Sequence, residues 1–359
     1  MGRVTLQTVA DKVGVSRMTV SNAFSRPDQL SADLRDRILA AADELGYVGP
    51  DPAARALARG TTGAVGIVLT SIVGSAFADE VATQFLGAVS QELAPTGLSL
   101  TLLSADETAG RIPARDVPMD GALVYHCDPR SPALGWLERR KLPLVFVDQD
   151  PSPHVSSVNV DDRGGAKLAA AHLIDLGHRH IGVVVSTVVG PHGLWQPGEE
   201  GEAHVSNERM RGWRDALDPA GIEPVVVNVP HSVEENGYQA LSQLLDADPR
   251  ITGILCFADT LAHGVMLAAQ DRGLTLPDDL SVVGFDDNPL AARLRPALTT
   301  VRQDVAAKGR LAALELIAAI NGVGSTNGGA DGKAAEIHHV LLPVELVVRE
   351  STAPPRAGR

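Results

Sequence analysis

The sequence has few of the features that mark secreted, membrane-spanning or nucleotide-dependent proteins. Its 359 residues include two cysteines, Cys127 and Cys256, and each lies in an apolar run, which predicts buried thiols rather than a disulfide or a metal site. No apolar run approaches the roughly 18 residues that span a bilayer, and the first residues, MGRVTLQTVADK, lack the apolar core of a secretory signal. We therefore expect a cytoplasmic protein with no membrane partner. The absence of G-x-G-x-x-G and P-loop motifs argues against a nucleotide-dependent enzyme.

Acidic residues are in excess overall, but the excess does not extend to the first sixty residues. The net charge is −13, yet residues 1–60 contain eight Lys or Arg and seven Asp or Glu. A near-neutral first segment on an acidic body is more typical of a local basic contact surface than of a wholly cationic binder. The length of the chain suggests two or three structural units.

The first forty-six residues have the pattern of three short helices. Thr5, Ser16 and Ser31 are placed to cap the three helices, and Gly14 and Gly46 are placed to end the first and the third. Apolar residues recur on one face of each helix, so the helices share one small core. A tight turn joins the first two helices. This arrangement is typical of a helix-turn-helix unit, which inserts its second helix into the major groove of DNA.

The second predicted helix presents Arg17, Met18 and Asn22 opposite its buried stripe. Arg can pair with guanine and Asn with adenine, whereas Met offers only apolar contact, for instance to a thymine methyl group. Hydroxyl groups suit phosphate oxygens, and the candidates for such backbone contacts are Thr5, Ser16, Thr19 and Ser21. The alternative is that all these residues are solvated positions of a small helical bundle.

A second short helix pattern follows, in GPDPAARALARG. Asp51 is placed to cap it and Gly60 to end it, but an isolated two-turn helix is shorter than the roughly 12–15 residues that are marginal in water. We expect it to form only when something else stabilises it. Leu57, with Ala54 three residues before it, is suited to enter a minor groove as an apolar wedge, and Arg55 is suited to contact a phosphate. The alternative is an alanine-rich tether without contacts of its own.

Beyond Gly63 the sequence alternates between strand and helix patterns, which is typical of parallel α/β sheets. Strands are predicted at 65–69, 98–103, 122–125, 144–147, 181–185, 225–229, 254–257 and 282–285. So many strands fit two sheets better than one, and we place the division between two lobes near residues 149–163, where the alternation is interrupted. We expect late segments to cross back between the lobes, at 298–303, 305–321 and 339–348.

Two sets of motifs resemble one known family. They are VTLQTVADKVGVSRMTVSNAFSRP, the Leu-Gly-Tyr at 45–47 and DPAARAL near the start, then VSSVNVDDRGGAKLAAAHLIDLGHRHIGVV, SNERMRGW, LPDDLSVVGFDDNPLA and LTTVRQD in the body. Over about residues 4–350 the chain resembles the lactose-repressor/galactose-repressor (LacI) family. The resemblance implies an α/β fold, with an N-terminal all-α helix-turn-helix headpiece and a two-lobed, periplasmic-binding-protein-like core of parallel sheets.

The resemblance also implies domain boundaries. The headpiece covers residues 1–48, a hinge that is helical when bound to DNA covers 49–62, the core covers 63–350, and 351–359 form a tail. Within the core, the first lobe is expected at about 63–161 and 302–324, and the second at about 162–301 and 325–350. In the headpiece, the resemblance places Arg17, Met18 and Asn22 where family members choose operator bases, and Leu57 where a hinge leucine enters the minor groove.

Ligands of open α/β sheets bind beyond the carboxyl ends of the strands. Asp148 and Asp286 follow predicted strands and Arg209 begins a predicted helix, a set that suits a polyhydroxylated ligand such as a sugar. The alternative for either Asp alone is a capping or turn residue. The resemblance assigns ligand contacts to the same three residues and adds Thr70, Ser75, Phe77 and Gln303. The sequence departs from the family at Ala258, because family members often have Asn at this position, directly before the residue that matches Asp259. The substitution removes one expected contact with a ligand hydroxyl.

These observations predict a sequence-specific DNA-binding transcriptional regulator. We expect a repressor that binds a palindromic operator as a homodimer and responds to a small ligand, a sugar or sugar derivative, held between the lobes. No cofactor or metal is expected, because the histidines at 172, 178 and 180 match a structural helix–strand junction of the family. Nothing in the sequence resembles a nucleophile–base pair, so we do not expect an enzyme. The alternative function is a sugar-binding protein without a role on DNA.

Overall fold

The computed structural model of the chain describes residues 4–69, 73–77, 79–107, 110–126, 131–187, 191–195, 203–325 and 336–356. The chain divides into two compact units, Met1–Gly63 and Ala64–Arg359. Within the described ranges, no helix is both long and apolar enough to cross a membrane. Cys256 is buried, and burial raises the pKa of its thiol, while Cys127 lies outside the described residues.

The first unit contains the three helices that the sequence predicts, α1 (Leu6–Val13), α2 (Arg17–Ser25) and α3 (Ala32–Leu45). The predicted caps are in place, because the side chains of Thr5, Ser16 and Ser31 each accept a hydrogen bond from the backbone N–H three residues on. Gly14 and Gly46 end α1 and α3 in the left-handed conformation, at φ +78° and +69°. The helix-turn-helix prediction is confirmed.

The core of the first unit is small and is made by all three helices. Its fully buried members are Val9, Ala10, Val20, Ala23, Ile38, Ala41 and Ala42. Phe24 is half-buried and packs edge-on against Tyr47, with 5.7 Å between the ring centroids. The buried stripe of α2 therefore fixes which side of that helix remains at the surface.

A fourth helix, α4 (Pro52–Arg59), follows in the same unit. The Asp51 carboxylate caps it by accepting from the N–H groups of Ala53 at 2.8 Å and Ala54 at 3.4 Å. Gly60 ends it at φ +72°. The Leu57 side chain is 87% exposed, so α4 carries a large apolar group that its own unit does not bury.

The first sheet of the second unit is parallel throughout its described strands, in the order β12-β5-β4-β3-β1-β2. The strands are β1 (Ala64–Leu69), β2 (Ser99–Ser104), β3 (Gly121–Tyr125), β4 (Leu144–Val147), β5 (Ser156–Val160) and β12 (His339–Leu342). The helices of this lobe are α5 (Val73–Ala76), α6 (Glu80–Leu93), α7 (Pro113–Asp116), α8 (Pro132–Arg139) and α13 (Val305–Ser325).

The second sheet has the order β13-β11-β10-β9-β6-β8-β7, and its described strands are parallel except for the two edge strands, β13 and β7. The strands are β6 (Ile181–Ser186), β7 (Gly193–Leu194), β8 (Val225–Val229), β9 (Gly253–Cys256), β10 (Ser281–Asp286), β11 (Thr299–Gln303) and β13 (Val344–Val347). The helices are α9 (Asp162–Asp175), α10 (His204–Leu217), α11 (Glu234–Ala247) and α12 (Asp259–Asp271).

The expected assignment of 325–350 to the second lobe is wrong for part of that segment. Strand β12 lies in the first sheet, where His339–Leu342 pairs in parallel with β5. Its Val340 and Leu342 pack against the core of the first lobe, so the apolar side chains hold it there. Only β13 joins the second sheet, antiparallel to β11.

Residues 351–356, expected as a tail, are packed against the second lobe. The Ser351 hydroxyl donates to the Val282 carbonyl at 2.6 Å and accepts from the Thr299 N–H at 2.8 Å. The Ala353 carbonyl accepts from the ring of His178 at 3.0 Å, and Thr352 contacts His172 at 2.9 Å. These histidines therefore hold the end of the chain in place.

We predict that Ser351→Ala lowers the free energy of unfolding by about 1–3 kcal/mol, because it leaves a buried N–H and a buried carbonyl without their partner. Ser90→Ala, at an exposed position of α6, is the control and should change stability by no more than about 0.5 kcal/mol. Urea unfolding followed by circular dichroism measures both variants. Equal stability of the two would show that the segment after residue 350 does not contribute to the core.

Candidate functional site

The surface of α2 carries two side chains that are fully available for contacts. Met18 is 70% exposed and Arg17 is exposed beside it. Asn22 is half-buried, and its amide nitrogen donates to the Gln29 side-chain oxygen at 3.2 Å. Because an amide nitrogen has two N–H groups, Asn22 retains one donor and its oxygen for a further partner. The helix thus presents one cationic, one apolar and one amide group on one side.

The hydroxylated residues around α2 already have structural roles. The Ser16 hydroxyl lies 2.8 Å from that of Thr19 while it caps the helix, and the Thr5 hydroxyl lies 3.2 Å from that of Thr8. Ser21 is half-buried on the same helix. In each pair one hydroxyl donates its O–H to the other, so the second hydroxyl of the pair retains an O–H that can donate to a phosphate oxygen.

In the second unit, the structure brings together four of the residues that the sequence predicts for the ligand site. Asp148 follows β4, and Asp286 and Gln303 end β10 and β11, so all three lie at carboxyl ends of strands. The Gln303 amide nitrogen donates to Asp286 Oδ1 at 2.7 Å. Arg209 Nη2 lies 3.5 Å from the same Asp286 oxygen. All four side chains are less than one-tenth exposed.

Three further residues were predicted to contact the ligand, Thr70, Ser75 and Phe77. Thr70 and the side chain of Ser75 lie outside the described residues. Phe77 is 64% exposed.

Two further charged residues bond to side chains of the buried group and were not predicted from the sequence, Lys308 and Asp162. Lys308 Nζ lies 2.7 Å from Asp148 Oδ2 and donates to Gln303 Oε1 at 3.1 Å. Asp162 Oδ1 accepts from Arg209 Nε at 2.8 Å. The available signal for Lys308 was its position in the largely apolar helix VAAKGRLAALELIAA, since a lysine on the buried face of such a helix must be paired.

The result is a continuous row of side chains, Asp148–Lys308–Gln303–Asp286–Arg209–Asp162, which we call the charged row. It runs from the first lobe, which supplies Asp148 and Lys308, to the second. Two carboxylate oxygens of the row, Asp148 Oδ1 and Asp162 Oδ2, are buried without a hydrogen-bond partner in the part of the chain that the structure describes. Such groups are rare in folded proteins and point to a missing partner.

Arg209 is held by ring faces as well as by carboxylates. Its guanidinium carbon lies 3.5 Å from the ring centroid of Phe285 and 4.5 Å from that of Phe257. Its Nη1 donates to the Phe257 carbonyl. Aromatic faces stabilise a guanidinium that is removed from water. The two rings therefore hold the plane of the Arg209 guanidinium, and the carboxylates of Asp162 and Asp286 orient its N–H groups.

Carboxylates outnumber cations in the charged row. Burial, which is the largest effect, raises the pKa of Asp286 to about 7, and the negative charge of Asp79 adds to it, although Arg209 acts in the opposite direction. Burial also raises the pKa of Asp162.

The backbone is strained at two residues of the charged row. Asp148 and Asp286 adopt positive φ values of +54° and +112°, which are unfavourable for residues other than glycine. Strain of this kind is concentrated at functional sites.

Together, a helix-turn-helix unit and a two-sheet core with polar groups at its strand ends define a class of DNA-binding proteins with a ligand-binding domain. Residues 5–49 match the family model of bacterial regulatory proteins, lacI family, and residues 170–352 match that of the periplasmic binding protein-like domain. The chain belongs to the LacI family of DNA-binding transcriptional regulators.

Curated relatives agree with this assignment along most of the chain. An HTH-type transcriptional regulator of Mycolicibacterium smegmatis is 38% identical over 329 residues, which cover 86% of this chain and 89% of the relative. The HTH-type transcriptional regulator CelR of Thermobifida fusca is 29% identical and covers 97% of this chain and 98% of the relative.

Solved structures give the same result. A complex of the regulator CelR with cellobiose matches at a TM-score of 0.67 and 26% identity, over 97% of this chain and all of that one. The lac repressor dimer bound to operator and the anti-inducer ONPF matches at a TM-score of 0.75 and 25% identity, over 98% of this chain and all of that one.

Asp286 generates a prediction about pH. Its pKa is about 7 in the folded protein, against an ordinary value of 3.8. The folded state therefore binds the proton of Asp286 more tightly than the unfolded state does. The stability gained in this way is fully present below pH 3.8 and is lost as the pH rises through about 7. Asp286→Asn removes this titration. We therefore predict that raising the pH from 6 to about 8 destabilises the wild type more than the variant, as measured by urea unfolding at both values. A difference between the two proteins that does not change with pH would contradict the raised pKa.

Proposed function

We propose that this protein is a repressor that binds a palindromic operator as a homodimer and is controlled by a sugar or sugar derivative bound between the two lobes of its core. The observation that carries the proposal is the charged row, because it extends from one lobe to the other and includes Asp148 Oδ1, which has no hydrogen-bond partner among the described residues. A ligand that bonds to this row contacts both lobes at once. Its affinity therefore depends on how the lobes are placed, which is the requirement for a switch.

On the DNA side, the base-reading residues of the proposal are Arg17, Met18 and Asn22. Contacts with the DNA backbone are assigned to hydroxyls and one cation, namely Thr5, Ser16, Thr19, Ser21 and Arg55. Ala54 and Leu57 of α4 enter the minor groove at the operator centre, which is consistent with the exposure of Leu57. One headpiece covers only a half-site, so a two-fold dimer on a palindrome follows geometrically.

On the ligand side, the proposed contacts are Thr70, Ser75, Phe77, Asp148, Arg209, Asp286 and Gln303. Carboxylates accept hydroxyl protons and Arg and amide groups donate, which together suit a polyhydroxylated molecule. Two structural relatives support a sugar, since CelR is in complex with cellobiose and a LacI family regulator from Enterococcus faecium has bound ribose.

In the proposed mechanism the ligand changes the angle between the lobes. This change separates the two hinge segments of the dimer, melts α4 and withdraws Leu57 from the DNA. A two-turn helix is suited to this role, because its own length gives it little stability once its contacts are lost. The ligand controls DNA binding only to the extent of its differential affinity for the two states.

Base reading by α2 is tested with Arg17→Ala and Met18→Ala. Selection from a random DNA library identifies the operator of the wild type, and gel-shift titration on single-base variants then measures preference. We predict that each substitution changes the preferred base at one position per half-site, and that Arg17→Ala, which removes a bidentate donor, loses about 1–3 kcal/mol of discrimination. Arg37→Ala, at an exposed position of α3, is the matched control and should leave the preference unchanged. Uniform weakening on every sequence would mean that α2 only contacts phosphates.

Leu57→Ala tests the division between the hinge and the ligand site. We predict weaker operator binding, since the apolar wedge is lost, and unchanged heats of binding when ribose and cellobiose are titrated by calorimetry. Leu314→Ala, on α13 and 42% exposed, is the control for loss of a surface leucine and should bind the operator as the wild type does. Loss of sugar binding in Leu57→Ala would contradict the assigned role of the hinge. Operator affinity of the wild type that responds to no sugar would contradict the sugar effector.

A further inference from the structure

Lys308 is one of the most deeply buried side chains of the core, although it carries a charge. It lies in the first turns of α13 and is 1% exposed. Its Nζ donates to Asp148 Oδ2 at 2.7 Å and to Gln303 Oε1 at 3.1 Å, and the ring centroid of Tyr125 is 5.9 Å away. An ammonium group has three N–H donors, so one donor of Lys308 has no acceptor among the described residues.

The carboxylate that faces this ammonium is also incomplete. Asp148 gives one oxygen to Lys308, and its other oxygen, Oδ1, is buried without a hydrogen-bond partner in the described part of the chain. An unpartnered buried carboxylate oxygen is costly, so the site is built for a donor that completes it. A free donor on Lys308 and a free acceptor on Asp148 therefore lie side by side at the carboxyl end of β4.

A hydroxyl group both donates and accepts, so two neighbouring hydroxyls of a sugar complement this arrangement, one donating to Asp148 Oδ1 and the other accepting from Lys308 Nζ. A carboxylate group or a fully ionised phosphate monoester has no proton for the Asp148 oxygen. It would also lie beside three buried carboxyl groups, Asp148, Asp162 and Asp286, whose oxygens already pair with the cations Lys308 and Arg209. The chemistry favours an uncharged polyol over an anion.

We propose that Lys308 and Asp148 act as a donor–acceptor couple that reads two adjacent hydroxyl groups of the effector, which makes Lys308 a residue that determines sugar specificity. This inference rests on the proposed function, in which the effector binds at the charged row. Because Lys308 also donates to Gln303, which in turn donates to Asp286, a hydroxyl bound to the couple is linked to the second lobe.

The experiment compares sugars with their deoxy counterparts on the full chain by calorimetry, with D-ribose and 2-deoxy-D-ribose, D-glucose and 2-deoxy-D-glucose, and cellobiose as probes. A site that bonds a hydroxyl discriminates strongly against the analogue that lacks it. We expect at least one sugar to bind the wild type about tenfold or more tightly than its deoxy counterpart, and this ratio to fall below about threefold in Lys308→Met. Lys167→Met, exposed on α9, is the control and keeps the wild-type ratio.

Removing one partner of a buried ion pair can unfold a protein, so a second variant and a measurement on the wild type accompany the first. Asp148→Asn with Lys308→Met removes both charges and is also expected to lose discrimination. In the wild type, the ¹⁵N signal of the Lys308 ammonium should shift when the bound sugar is added.

Discrimination retained in a folded Lys308 variant, or an ammonium signal that no probe sugar shifts, would overturn the proposal. A wild type that binds none of these sugars would overturn it as well. In that case, DNA selection with the Arg17 and Met18 variants still decides independently whether the chain is an operator-binding regulator.

Discussion

The burial of Arg209 is the constraint on which the ligand side of this molecule depends. Its guanidinium comes from α10, bonds to Asp162 at the start of α9 and donates to the Phe257 carbonyl that follows β9. A buried cation is tolerated only when its charge and its N–H groups are matched, so these elements are fixed relative to one another by one side chain. The position of Asp286, at the end of β10, is set by the same group.

The charged row extends this constraint across the core at some expense of stability. Replacement of buried ion pairs by apolar residues of similar volume is often neutral or stabilising, so such a row is not explained by stability alone. It does provide fixed directions for donors and acceptors where strand ends of both lobes meet. The raised pKa of Asp286 reflects the same burial, which disfavours the charged carboxylate more than Arg209 and Lys308 stabilise it.

The features predicted from the sequence are those that depend on neighbours within a few residues. Thr5 and Ser16 cap their helices through the third residue on, and Gly14 ends a helix by its own conformation, so a single sequence contains the whole signal. Lys308 is different, because its partner Asp148 is 160 residues away and a lysine on a helix is otherwise a solvated residue. Ser351 was missed for the same reason, since its partners lie 52 and 69 residues before it.

Beside Ala258, where the sequence departs from the family, Asp259 is turned into the core. Asp259 is fully buried, where its carboxylate accepts from the Thr300 hydroxyl at 2.5 Å and from the Asn288 N–H at 2.9 Å. A Cβ on Gly284 would lie only 2.2 Å from Asp259 Oδ1, so the strand backbone is fitted to this inward orientation. Asp259 therefore supports the loop after β10, and with Ala258 beside it neither residue offers a free polar group. In the proposed recognition of a hydroxylated ligand, the contacts therefore depend more on the first-lobe end of the charged row, where Asp148 Oδ1 has no partner among the described residues.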